Sequence, residues 1–426
     1  MKKTLLFQAV VLILIFAYSC TQNSILKEAS PVSAKVSEER LARIDKMLQQ
    51  SVDSGWIAGA VGFIARDGKI VYNKSFGYSN IETKSQLRPD DIFRIASQTK
   101  AITSIAVMML FEEGKFLLDD PVSKYIPEFA NPRVLDKFNE KDTTYTTVPA
   151  NREITIRDLL THTSGIDYAG IGSKSMGAIY AKAHIPAGFV NDKVLLGDKI
   201  RILGKQPLIH QPGERFTYGL NTDVLGYLVE VLSGENLDQF FRTRIFIPLG
   251  MTDTYFYLPA SKSDRLVSVS TEDNMHRVVK LDDRTIPGFS VNYPLAEGSY
   301  YSGGAGLSST VKDYATFLQM LLNKGVYNGK RLLSRHTVEL ITSNQIGDLN
   351  LGRDKFGLGF QITTKDGQAR MGVSEGSFAW GGIFSTIYWA DPKERLVCLL
   401  FIQQIPLSHG EIGDKFRVLV YQALND

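Results

Sequence analysis

The sequence predicts an α+β fold: one antiparallel sheet built from both ends of the chain, flanked by helices, with a mainly helical part inserted between. Three observations carry this. Strand-like runs cluster near the start, at 57–66 and 70–78, and near the end, at 356–363, 383–390 and 396–404. The middle of the chain reads as helix and loop. Strands do not alternate regularly with helices, as a parallel sheet would need.

The chain begins MKKTLLFQAVVLILIFAYSC, with a basic pair, Lys2 and Lys3, then an apolar run and small residues leading to Cys20. That is the pattern of an export signal over residues 1–19. The run falls short of the roughly 20 residues that span a bilayer. Ala17-Tyr18-Ser19-Cys20 resembles a bacterial lipobox, with Ala17 at a place more often filled by Leu. The resemblance implies lipidation of Cys20, a tether over residues 20–37, and a lipid-anchored body at the bacterial cell envelope, on its periplasmic side. Contact with the membrane is then through the lipid only.

Residues 38–51 read as a helix. Asp67-Gly68-Lys69 between two strand-like runs is a hairpin signal. Ser97 to Glu113 has a helical pattern, and Gly114 suits its end. Further helices are expected near 121–128, 156–162, 221–233, 237–247 and 411–424, with loops over 129–152 and 260–302. One domain over 38–426 follows. Its α/β part takes about 38–96 and 303–426, its helical part about 97–302, and a cleft lies between them.

Of 426 residues, 44% are hydrophobic and 22% charged, which fits a globular chain with a sizeable core. The net charge is only +3 and no basic run occurs, so no nucleic-acid partner is expected. Two cysteines exclude a disulfide scaffold and a Cys-rich zinc site. The six histidines have no zinc spacing, and there is no phosphate-binding or dinucleotide motif. No metal or organic cofactor is expected. Cys398, inside LVCLLFI, reads as a buried strand thiol.

Three places carry chemistry. Ser97 opens a helix and Lys100 follows one turn later on the same face. The N–H groups of a helix start favour an oxyanion, and a neighbouring lysine can help remove the hydroxyl proton. Tyr218 stands just before the helix over 221–233 and can serve as the acid/base. Trp380-Gly381-Gly382 precedes the run from Ile383; its glycines let a ligand approach the backbone, and an N–H there can pair with that of Ser97 as an oxyanion hole.

Together these motifs resemble the serine β-lactamase and penicillin-binding-protein superfamily, and within it the class C-like branch of carboxylesterases and acyltransferases. Ser97-Gln98-Thr99-Lys100 matches the first motif, Tyr218 the tyrosine of the second, and Trp380-Gly381-Gly382 falls where β-lactamases carry Lys-Thr-Gly. Supporting stretches are Ile156 to Gly165, Pro212-Gly213 and Gly303 to Leu307. The resemblance runs from about residue 38 to the end. It implies a β-lactamase-like fold and covalent acyl transfer. Ser97 would be the nucleophile and Lys100 and Tyr218 the proton shuttle. The N–H groups of Ser97 and Ile383 would hold the oxyanion, and Trp380, Gly381, Gly382 and Asn221 would bind substrate.

The chain departs from β-lactamases at two points. Leu220 stands two residues after Tyr218, where the family has Asn, and the nearest Asn is Asn221. Trp380 replaces the lysine that binds a substrate carboxylate, a charge-assisted contact of about 1.5–3 kcal/mol. Both argue against efficient β-lactam hydrolysis or D,D-peptidase work and resemble the pattern of carboxylesterases and related acyltransferases, which implies a small-molecule ester or thioester substrate with water or an alcohol as acceptor. A β-lactamase, a D,D-peptidase or D-amidase of the same fold and a non-enzymatic binding or sensor lipoprotein stand as alternatives. Gly372-Val373-Ser374-Glu375-Gly376 mimics a nucleophile elbow but lacks the strand-to-helix setting, and reads as a loop. His162 reads as a structural histidine in a turn. Oligomeric state is not legible.

Overall fold

The computed structural model describes residues 25–189, 193–282 and 290–425. The expected export signal over residues 1–19 and the expected lipidation at Cys20 lie outside them.

Nine strands form the main sheet, here numbered in chain order: β1 (Lys27–Glu28), β2 (Gly59–Arg66), β3 (Lys69–Asn80), β4 (Ser85–Gln86), β5 (Lys355–Phe356), β6 (Gln361–Ile362), β7 (Phe378–Gly382), β8 (Thr386–Asp391) and β9 (Leu396–Ile402). The order is β1-β3-β2-β9-β8-β7-β6-β5, with β4 beside β3. The expected pairing of the two chain ends is present. β9 runs antiparallel to β2, from Leu396 opposite Arg66 to Ile402 opposite Ala60. Only β1 is parallel to its neighbour.

β2 and β9 alternate their side chains between two cores, as a strand's period of two requires. Ala60, Ile64, Cys398 and Leu400 face α1 (Glu38–Asp53) and the C-terminal helix Glu411–Gln422. Val61, Phe63, Leu399 and Phe401 face the larger core, which holds α2 (Thr99–Glu112) and α3 (Asn221–Ser233). These two helices pack on each other. α2 is apolar almost all round and nearly wholly buried, as suits a helix at the centre of a core. Cys398 is buried as expected, and burial pushes its thiol well above the usual range.

Several expectations need correction. The described part of the 20–37 segment is docked rather than free. Lys27 and Glu28 pair with Lys69 and Ile70, and Val36 is buried. The expected loop at 129–152 contains a hairpin of Arg133–Phe138 with Tyr145–Pro149, whose mostly exposed polar residues carry no alternation signal. The expected strand at 356–363 is interrupted. Gly359 has φ +94° and the N–H of Gly357 reaches the carbonyl of Phe360, so β5 folds back on β6. The expected strand at 383–390 starts only at Thr386. Ser385, with φ +64°, closes a turn onto Gly382 O, and Trp380-Gly381-Gly382 ends β7 rather than preceding a strand. The helix expected at 237–247 is present but changes pitch: a wider turn at Arg242–Phe246 follows Leu237–Phe241. No helix among the described residues is long and apolar enough to cross a membrane.

Candidate active site

Ser97 lies in a tight turn, Ala96–Gln98, that leads directly into α2. Ala96 has φ +45°, a left-handed conformation that costs a non-glycine residue energy. The surroundings enforce it, since Ala96 is fully buried and packs with Phe384, Phe189 and Tyr293. The first N–H groups of such a turn have no acceptor within the helix, so that of Ser97 can serve a ligand. β7 lies against this turn. A side chain on Gly382 would place its Cβ 2.5 Å from Ile95 O, so only glycine lets the two backbones come this close. Ile383 then sits in the turn beyond, with more than a third of its surface exposed.

Lys100 is one turn along and 3% exposed. Its Nζ donates to Ser97 Oγ at 3.3 Å and to the carbonyl of Gly304 at 2.7 Å. It also lies 4.6 Å from the centre of the Tyr218 ring and 5.4 Å from that of Tyr168. Tyr218 OH donates to Ser97 Oγ at 2.7 Å. Ser97 and Tyr218 are 121 positions apart in sequence, and both are half-buried, open to a ligand. The indole N–H of Trp380 points at Tyr218 OH from 3.5 Å, at the outer limit of a hydrogen bond. Its ring packs at 5.5 Å from Tyr218 and 5.4 Å from Phe356. The structure therefore brings together Ser97, Lys100, Tyr218, Trp380, Gly381 and Gly382, with Ile383 adjoining.

Asn221 is the exception. It is fully buried and belongs to the interior, not to the substrate side. It accepts from Ser164 Oγ, and its amide N–H reaches His162 Nδ1 at 2.9 Å. The reason is its place at the first residue of α3, whose start is held against the turn at 162–166. His162 has the structural part expected of it. Its Nδ1 also accepts the N–H of Gly219 at 3.4 Å, and its ring lies 4.9 Å from Tyr218. A backbone N–H can only donate, so Nδ1 carries no proton. Burial first, and then Lys100, lower its basicity well below the usual range, which keeps the ring neutral.

Sequence reasoning did not find Tyr168 or Asp223, and it named Gly304 only within the supporting stretch Gly303 to Leu307, without a role. Tyr168 stacks on Tyr218 with ring centres 5.6 Å apart. Burial first, then Tyr218 and Asp223, push its phenol well above the usual range, so it does not compete as a base. Gly304 supplies the carbonyl for Lys100. Asp223, 1% exposed, fixes the Gly304 peptide. The signal for Asp223 was a charged residue inside an apolar helix; Tyr168 gave none. Ser374 of the false elbow is buried in the loop before β7 and takes no part in this cluster.

Comparison with known proteins agrees with this geometry. A family model described as beta-lactamase matches residues 44–422. An uncharacterised protein of Mycobacterium tuberculosis (strain CDC 1551 / Oshkosh) is 34% identical over 374 residues, covering 84% of this chain and 89% of that protein. The lovastatin esterase of Penicillium rubens is 31% identical over 396 residues, covering 87% and 94%. Among solved structures, EstCE1, described as a hydrolase with promiscuous acyltransferase activity, superposes with a TM-score of 0.76 at 26% identity, covering 90% of this chain and 99% of that one. The chain belongs to the β-lactamase family of serine hydrolases.

Proposed function

We propose that the protein is an esterase that forms an acyl-enzyme on Ser97 and passes the acyl group to water or to an alcohol. One observation carries this: Ser97 Oγ meets both Tyr218 OH and Lys100 Nζ, while an indole, not an ammonium, faces the site beside Tyr218. Similarity to the lovastatin esterase and to EstCE1, a hydrolase with promiscuous acyltransferase activity, supports the same reading.

Ser97 Oγ attacks the ester carbonyl, and its proton passes to the Tyr218 oxygen acting as general base, in the reactive form in which Oγ is the donor of their 2.7 Å contact. Lys100, over the face of the Tyr218 ring and within reach of Oγ, stabilises the negative charge that moves between these oxygens. The N–H groups of Ser97 and Ile383 hold the carbonyl oxygen as it becomes an oxyanion. Tyr218 returns the proton to the leaving alcohol. Water or a second alcohol then gives its proton to Tyr218 as its oxygen bonds the acyl carbon, the bond to Ser97 Oγ breaks, and Tyr218 passes that proton to Oγ across the 2.7 Å contact, restoring Ser97. Trp380, half-buried beside Tyr218, offers an aromatic wall to the acyl chain or the alcohol. An indole cannot pair with a carboxylate as an ammonium does, which disfavours β-lactams and acylated D-amino acids.

A short-chain p-nitrophenyl ester and a chromogenic cephalosporin, assayed side by side, test the reading. Expected is ester turnover with roughly 30- to 150-fold lower kcat/KM for the cephalosporin, the cost of about 2–3 kcal/mol of lost recognition. Faster cephalosporin opening would replace it with a β-lactamase. Absence of both activities would favour a binding protein on this fold.

We further propose that Cys20 carries a lipid that holds the body at the periplasmic side of the envelope. The motif ending in Cys20 supports this. In cells, Cys20→Ala should move the protein from the membrane fraction to the soluble one. An unchanged membrane fraction would refute the anchor.

A further inference from the structure

We infer that Asp223 is a positioning residue for Lys100, acting through Gly304, whose N–H it holds directly and whose carbonyl peptide it holds through Ser302. The inference rests on the reading of Lys100 as the cation that serves Ser97.

The segment 302–307 is a strap between α2 and α3. On the α2 side, Gly304 O accepts from Lys100, Gly303 O accepts from Thr103 Oγ1 at 2.7 Å, and the N–H of Leu307 donates to Thr99 Oγ1 at 3.1 Å. On the α3 side, Asp223 Oδ1 accepts from Ser302 Oγ at 2.6 Å and from the N–H of Gly304 at 3.3 Å. Ser302 Oγ in turn accepts the N–H of Ala305 at 3.1 Å. The Gly304 residue is thus gripped at both polar ends, by Asp223 at its N–H and by Lys100 at its carbonyl.

Glycine is required here by space. A Cβ on Gly304 would overlap Asp223 Oδ2, and one on Gly303 would lie 2.6 Å from Thr222 O. The strap is therefore pressed onto the start of α3, and Asp223 sets how far its carbonyl reaches towards Lys100. Among the described residues no cation pairs directly with Asp223, which is 1% exposed. Burial pushes its carboxyl up, while Ser302 first and then Lys100 pull it down. A buried carboxylate is costly unless it is hydrogen-bonded, and Oδ1 here takes two donors, Ser302 Oγ and the N–H of Gly304.

Without Asp223, Gly304 O loses its fixed position, and Lys100 Nζ drifts from Ser97 Oγ. A displacement of about 1 Å at such a contact costs ~100-fold in rate. Asp223→Ala, Asp223→Asn, Lys100→Met and the Asp223→Ala/Lys100→Met double variant test this, with ester kcat and KM and the rate of Ser97 labelling by a fluorophosphonate as readouts. Expected for Asp223→Ala is a ~100-fold fall in kcat and labelling with KM nearly unchanged. Asp223→Asn keeps an oxygen for both donors and stays within ~5-fold of wild type. In the Lys100→Met background, Asp223→Ala costs nothing further, since the group it positions is gone. A merely structural aspartate would lower the double variant by the full factor again.

A double variant that loses another ~100-fold overturns the inference, as does wild-type kcat in Asp223→Ala or an Asn variant as poor as the Ala variant. Should Asp223→Ala not fold, Ser302→Ala decides: a fall of ~10-fold in kcat that vanishes in the Lys100→Met background supports positioning, and any other result opposes it. If Lys100→Met itself is unimpaired, the reading of Lys100 falls and takes this inference with it. If Lys100→Met is impaired while Asp223→Ala is not, this inference alone falls.

Discussion

Ser97→Ala is expected to lower ester turnover about 10⁶-fold, the loss usual when a covalent nucleophile is removed. Among the described residues, no neighbouring group can replace it. Tyr168 is held protonated, His162 is neutral and turned towards Asn221 and Gly219, and Ser374 is buried in another loop. Tyr218 and Lys100 would remain, but with no hydroxyl between them to activate. The fold should be indifferent. Ser97 is half-buried, and its backbone, not its hydroxyl, joins the turn to α2. Thermal unfolding of the variant should therefore match wild type within a few degrees. Retained turnover would remove the mechanism outright; a large fall in Tm would turn the loss of activity into a folding effect.

Tyr218→Phe is expected to lower kcat about 10²–10⁴-fold, the usual worth of a positioned acid/base. This substitution is a clean probe because it deletes one oxygen. The phenyl ring keeps its stacking on Tyr168 and its packing on Trp380 and His162. Only the 2.7 Å contact to Ser97 Oγ and the long one from the Trp380 indole are lost. Steady-state kinetics should show the fall in kcat with KM little changed. A drop of less than ~10-fold would mean that Lys100 or solvent takes the proton instead.

How much of this was legible in the sequence depended on how local each signal was. β2 and β9 announced themselves because both alternate between two apolar cores. Ser97 and Lys100 were legible because one helical turn fixes their relation. Tyr218 and Trp380 have no such local link to Ser97, and only the resemblance of the whole motif set brought them together. Asn221 went wrong for a related reason. Sequence places it beside Tyr218, but the start of α3 turns its amide inward to Ser164 and His162. Asp223 and the role of Gly304 were missed because their contacts join residues far apart; Lys100 and Gly304 are separated by 204 positions. The Arg133–Phe138 hairpin was missed because its residues are polar and mostly exposed, so burial imprinted no pattern on them. Strand ends at Ile383 and Gly357 were set by backbone turns, which the apolar runs around them concealed.

The central claim is that Ser97 becomes acylated during turnover. Mixing the protein with a slowly hydrolysed p-nitrophenyl ester, quenching in acid and measuring intact mass, followed by peptide mapping, tests it directly. The account predicts a mass increase of one acyl group, located on the peptide that contains Ser97, absent from Ser97→Ala and reduced in Tyr218→Phe. Ester turnover by a protein that never carries the acyl group, or carries it on another residue, would contradict it.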